Sequence, residues 1–285
     1  MKRNAIGLVL GLVLAACGTS PSRLPDANLP PRAGTGGRLE ELIGQLGSEE
    51  TRSEARAQLE REGGAAIPAL LRHIEDDPVS LRWEVVNLLG TIRDERGIEP
   101  LARRAIDDEN HHVRWRSLWA LAMFRKPAEV AALFEPALAS GDARRRWNAA
   151  IALSMFASAA GLDVLHAGVR NPDPFQRWEA INALGRVHDA RTVSVLAPAL
   201  RSPSDRDRNE AVLSLGRIGG DEAVDLLVGS LADPSASVRW RAAMMLGELR
   251  AVRAVAPLKA LLAGEQDEEV RGRAREALAR IESGR

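Results

Sequence analysis

The chain has 285 residues, with 39 Lys and Arg matched by 39 Asp and Glu, and 45% of its residues are apolar. The zero formal charge argues against a nucleic-acid tail or a polybasic membrane patch, and the apolar fraction argues against global disorder. A single Cys rules out an internal disulfide or a cysteine-built zinc site.

Lys2 and Arg3 precede an unbroken run of small and apolar residues, Ala5–Ala16, that ends at Cys17. The run is shorter than the ~20 residues that span a bilayer, so it reads as an export signal. Leu14-Ala15-Ala16-Cys17 resembles the lipobox of bacterial lipoproteins, in which the signal is cut before Cys and the thiol is lipidated. The resemblance implies a signal peptide over residues 1–16 and a membrane anchor through lipid on Cys17. Gly18, where inner-membrane lipoproteins of enteric bacteria carry Asp, implies an outer-membrane, periplasm-facing position in the cell envelope. Residues 17–37 then form the lipidated N-terminus and a flexible tether, since Gly18–Gly37 holds four Pro and four Gly.

Residues 38–285 repeat one unit. An Arg followed seven residues later by Leu recurs at Arg52/Leu59, Arg82/Leu89, Arg114/Leu121, Arg146/Leu153, Arg177/Leu184, Arg208/Leu215, Arg239/Leu246 and Arg271/Leu278, at intervals of 30 to 32 residues. Val238, Ala242, Met245, Leu246 and Leu249 keep the period of one helix face. A second apolar segment precedes each anchor, often opened by Pro (Pro68, Pro100, Pro257). Turn residues such as Asn171-Pro172-Asp173 and Asp233-Pro234 separate the two. Each unit is therefore predicted to be a helical pair, with Asp or Ser at helix starts and Gly90, Gly185, Gly216 and Gly247 closing the second helices.

One pair of short helices cannot bury its apolar face alone, so about eight pairs are expected to stack into an all-α solenoid. The Val-Arg-x-x-Ala-x-x-x-Leu-Gly string resembles HEAT repeats of the short kind first known from phycobilisome lyases, over about Arg38 to Ile281. Arg275 and Glu276 replace the apolar pairs found at those steps elsewhere, as a terminal unit requires.

Two columns stand beside the core. Arg82, Arg114, Arg146, Arg177, Arg208, Arg239 and Arg271 are expected to form a structural ladder with the inter-helix Asp or with neighbouring carbonyls. Asp76, Asp108 and Asp233 each lie six residues before an anchor. Trp83, Trp115, Trp147, Trp178 and Trp240 directly follow their anchors. At ~100° per residue, Trp240 falls about 180° from the core stripe, with Trp119 on the same side. These Trp either pack in the seams between second helices or form a concave strip for a protein partner. The strip is the expectation adopted for them.

Chemistry finds little support. None of the five His starts a His-Glu pair, the dipeptide by which HEAT-type deoxyhypusine hydroxylases hold iron. Asp107-Asp108-Glu109-Asn110-His111-His112 is the densest polar cluster, without a recognised metal-ligand spacing. The residues following the Trp column (Glu84, Arg116, Asn148, Glu179, Glu210, Arg241, Arg273) mix signs, unlike the phosphate track that HEAT-like DNA glycosylases would need. The reading is an exported, lipid-anchored scaffold that binds protein partners, with no catalysis, cofactor, metal or nucleic acid. The alternative is a catalytic or ligand-processing protein of the bilin-lyase or deoxyhypusine-hydroxylase type.

Overall fold

The computed structural model describes residues 35–76 and 78–283; the expected signal peptide, Cys17 and most of the tether lie outside them. Eight helical pairs follow one another: α1 (Thr35–Gln45) with α2 (Arg52–Glu62), α3 (Ile67–Arg72) with α4 (Val79–Ile92), α5 (Ile98–Asp107) with α6 (His111–Ala122), and α7 (Pro127–Ala132) with α8 (Ala143–Met155). Then come α9 (Leu162–Gly168) with α10 (Pro174–Val187), α11 (Val193–Leu196) with α12 (Asp205–Ile218), α13 (Asp221–Gly229) with α14 (Ala236–Glu248), and α15 (Val255–Gly264) with α16 (Glu268–Glu282). The result is an α-solenoid. Its first helix draws Thr35, Gly36 and Gly37 out of the expected tether, because Leu39, Leu42, Ile43 and Leu46 bury against the next helices.

Local chemistry sets the helix starts. The side chains of Asn110, Asp142, Asp173, Ser204 and Asp267 accept backbone N–H groups from the first turns of α6, α8, α10, α12 and α16. The ends differ from expectation. Gly90, Gly185, Gly216 and Gly247 lie inside their helices and do not close them. A left-handed residue a few positions on does that: Arg93, Arg125, Ala157, His188, Gly219 and Arg250 all have φ between 49° and 70°. The interior glycines serve close approach instead. A Cβ on Gly90 would sit 2.6 Å from the Ala120 Cβ, and one on Gly247 would sit 2.8 Å from the Ala277 Cα. The second helices of neighbouring units thus meet backbone to backbone.

The apolar core runs along the stack in two clusters, residues 39–153 and 150–281, that join at α8. Arg275 and Glu276 on the last helix are exposed.

Candidate functional site

Each anchor Arg reaches back to the carbonyl six residues upstream. Arg114 donates Nη1 to the Asp108 carbonyl at 2.8 Å, and Arg146, Arg177, Arg208, Arg239 and Arg271 do the same to Ser140, Asn171, Ser202, Asp233 and Glu265. Arg82 does so to Asp76, and Arg52 reaches Leu46 through Nε. The bond fastens the start of the second helix to the turn before it.

Four anchors also donate hydrogen bonds forward to a carboxylate of the next unit, and Arg52 pairs with Glu84 at 3.6 Å. Arg82 donates to both oxygens of Asp108, Arg208 to both of Asp233, Arg239 to both of Glu265, and Arg177 to Asp207. At Asp108, Asp233 and Glu265 the inter-helix acid therefore serves two units at once. Its carbonyl binds its own unit's Arg and its carboxylate binds the preceding one. A third role is local: Asp108 Oδ1 accepts the Asn110 N–H, and Asp233 Oδ1 accepts the Ser235 N–H. Charge pairing with Arg239 holds the Glu265 carboxyl down to about 2.

The ladder changes in the middle of the stack. At the equivalent positions stand Ser140, Asn171 and Ser202, whose side-chain oxygens keep the turn bonds to the N–H groups of Asp142, Asp173 and Ser204 but carry no charge; only at the last of these does another acid, Asp207, answer the preceding anchor. Arg114 and Arg146 bond only main-chain carbonyls among the described residues.

The Trp column packs in the seams, each ring meeting the residue one step past the anchor pair in the next unit. Trp147 Nε1 donates to Glu179 at 2.8 Å, and Trp178 Nε1 donates to Glu210 at 3.0 Å. The Arg116 guanidinium lies 5.3 Å from the Trp83 ring centre, and Arg273 lies 4.4 Å from that of Trp240. The mixed signs after the Trp column are thus the seam partners of the preceding Trp. Trp115 departs from the rule. Its ring meets Arg186, two units ahead, at 5.4 Å.

That departure marks a break. Second helices pack extensively from α4 to α6 and from α10 through α16, but α6 and α8 hardly touch. Instead α8 packs on α5, the first helix of the preceding unit. Asn148 donates to the Ile106 carbonyl at 2.7 Å and Arg145 pairs with Asp107 at 2.7 Å to hold it there. Ala122 occupies the position of the close-approach glycines on α6, and it is half-buried where Gly90, Gly185, Gly216 and Gly247 are buried. Ala122 thus brings a methyl group to the position where those glycines admit the neighbouring backbone. Trp119, in register with the buried Asn87, Ile151 and Asn182, is 37% exposed because no helix among the described residues covers this side of α6.

The gap holds a groove of about 1030 Å³. Trp115, Leu118, Trp147 and Phe175 form its apolar walls, and His111, Arg114, Arg144 and Arg146 line its polar side with Asp163 and Glu179. Burial, and then the nearby Arg144, pull the Arg114 guanidinium below its ordinary range. Burial pushes the Glu179 carboxyl up against the pull of its Trp147 bond.

The family model described as HEAT repeats matches residues 67–154, 130–216 and 193–279. The chain belongs to the HEAT repeat family. No curated protein sequence matches it. Among solved structures, the YibA protein of Escherichia coli is 18% identical over 90% of this chain and 100% of its own, with a TM-score of 0.54. The complex of CpcE and CpcF of phycocyanin lyase from a Nostoc species is 19% identical, covering 92% of this chain and 100% of that one, at a TM-score of 0.36. Human deoxyhypusine hydroxylase is 22% identical over 87% of this chain and 96% of its own, at a TM-score of 0.39.

Within this HEAT solenoid the Asp107–His112 cluster is spoken for by structure. Asp107 pairs with Arg145, Asp108 and Glu109 with Arg82, and Asn110 caps α6. Among the described residues, no three His, Cys, Asp or Glu converge as a metal site. The Arg column of the sequence carried the ladder, whereas Trp83, Trp147, Trp178 and Trp240, expected as a partner strip, each meet a side chain of the next unit across a seam. The HEAT groove itself was missed, although its signals were present: Ala122 in a glycine column, and Ser140 and Asn171 at positions that hold acids in other units.

Proposed function

We propose that this HEAT-repeat chain is a non-catalytic scaffold, anchored by lipid on Cys17 and facing the periplasm, that binds a protein partner in the groove between α6 and α8. The observation that carries the reading is an interruption of stacking that leaves Trp115, Trp147, Leu118 and Phe175 around one accessible cleft beside the exposed Trp119. Aromatic anchors in a partly desolvated pocket supply most of the energy of a typical protein interface. Of the Trp column, Trp115 and Trp147 serve the partner; Trp83, Trp178 and Trp240 meet Arg116, Glu210 and Arg273 across their seams and contribute through the shape of the stack. The groove's buried carboxylate, Glu179, already accepts from Trp147, which suits a recognition surface better than acid–base chemistry.

Site-specific photo-crosslinking in the native envelope tests the binding site. A crosslinking residue at Ala167 or Phe175, both exposed on the groove, should trap one defined protein, while one at the exposed Val252 near the other end should not. Equal trapping at all three positions, or none at Ala167 and Phe175, rejects the reading. The anchor is tested by intact mass: an unmodified Cys17 in the membrane fraction rejects it.

A further inference from the structure

The interrupted ladder defines the chemistry of the occupant. In the intact part of the stack, each forward-facing guanidinium is answered by a carboxylate from the next unit, as Arg82 is by Asp108, Arg208 by Asp233 and Arg239 by Glu265. Ser140 and Asn171 retain the backbone work of those acids and omit the charge. Both affected guanidiniums, Arg114 and Arg146, line the groove, together with Arg144, whose side chain bonds nothing among the described residues. The groove's own acids, Asp163 and Glu179, leave it with a cationic excess, and Glu179 is committed to Trp147.

We propose that the groove binds an acidic peptide segment of the partner, whose carboxylates take the two missing rungs on Arg114 and Arg146 while an adjacent aromatic residue packs against Trp115 and Trp147. This rests on the groove being the partner site. Guanidinium groups prefer paired hydrogen bonds to carboxylates, and a partly desolvated groove strengthens them. A basic segment meets repulsion from three Arg. A neutral apolar segment leaves the two guanidiniums unanswered in a desolvated site.

The test uses the full chain and three fluorescein-labelled peptides of equal length, alternating Glu/Phe, Gln/Phe or Lys/Phe, followed by fluorescence anisotropy. The Glu/Phe peptide should bind at least about 10-fold more tightly than the other two and weaken steeply with added NaCl. The variant Asn171→Asp, at a position that lines the groove, supplies a carboxylate from within. It should melt no lower than the wild type and lose at least about 5-fold in Glu/Phe affinity. Undiminished Glu/Phe binding by the folded variant overturns the proposal. Equal binding of the Gln/Phe peptide that Phe175→Glu abolishes also overturns it, while leaving the groove as a protein site. If none of the three peptides binds and crosslinking at Phe175 fails as well, both readings fall.

Discussion

Trp147 and Glu179, thirty-two residues apart, are joined by an indole N–H to carboxylate bond of 2.8 Å across the seam between α8 and α10. The same ring presses on Gly168, where a Cβ would lie 2.6 Å from it, and also lines the groove. One side chain therefore serves both the stack and the site.

Truncating Trp147 should consequently damage stability as well as binding. Trp147→Ala opens a cavity and strips a buried carboxylate of its donor, so a loss of about 3 kcal/mol or more is expected from denaturant titration. Trp147→Phe keeps most of the packing and should lose less. Melting of the Ala variant within a degree of the wild type contradicts the seam packing. Binding by this variant must be read on its folded fraction.

The glycines divide into two kinds, and substitution tells them apart. Gly247→Ala places a methyl 2.8 Å from the Ala277 backbone and should cost about 1–3 kcal/mol despite alanine's better helix propensity. Gly272→Ala, on α16 with nothing within 4 Å, should stabilise by about 0.5–1 kcal/mol. Ala157→Gly relieves a left-handed φ of 55° and should also stabilise, by about 1 kcal/mol. Thermal melts of the three variants should therefore shift down, up and up.

Arg82 and Asp108 form the most enclosed rung, at 4% and 2% exposure. Asp108→Ala removes the buried carboxylate of the rung and leaves Arg82 to its exposed pairing with Glu109, so it should destabilise by about 3 kcal/mol. Glu109→Ala removes an exposed partner of Arg82 and should change stability by less than about 1 kcal/mol. Equal effects of the two substitutions would show that burial does not govern the ladder.

Two ends of the chain should respond to opposite pH limits. Glu265 has a folded pKa of about 2, below its ordinary 4.5, so its pairing with Arg239 stabilises fully above the ordinary value. That contribution fades as pH falls from about 4.5 toward 2. For His73, burial lowers the pKa, but hydrogen bonds to Glu40 and Asp76 outweigh it and raise the imidazole above its ordinary 6.5. Its contribution is full below 6.5 and is lost as pH rises through the elevated value. Glu265→Gln should flatten the acid limb of a stability–pH curve, and His73→Gln should flatten the near-neutral limb. Unchanged limbs in these variants would contradict the two assignments.

How the repeats stack was legible in the sequence because it follows from local rules applied eight times. The Arg-to-Leu spacing marks the second helices, the apolar period marks the buried stripe, and Asn110, Asp142 and Asp173 sit where helix starts need acceptors. The same regularity misled at the glycines, since a Gly one step past the last core Leu can end a helix or admit a neighbour. Only the packed helices distinguish these roles. The seam pairing was also a tertiary matter, because Trp147 and Glu179 are neighbours only once two units are docked. The groove depended most on tertiary structure. A methyl at Ala122 and neutral side chains at Ser140 and Asn171 are unremarkable singly, but together they coincide with the junction where α8 leaves α6 for α5. Sequence determined the repeating element, whereas the contact between unlike neighbours decided where the repetition fails.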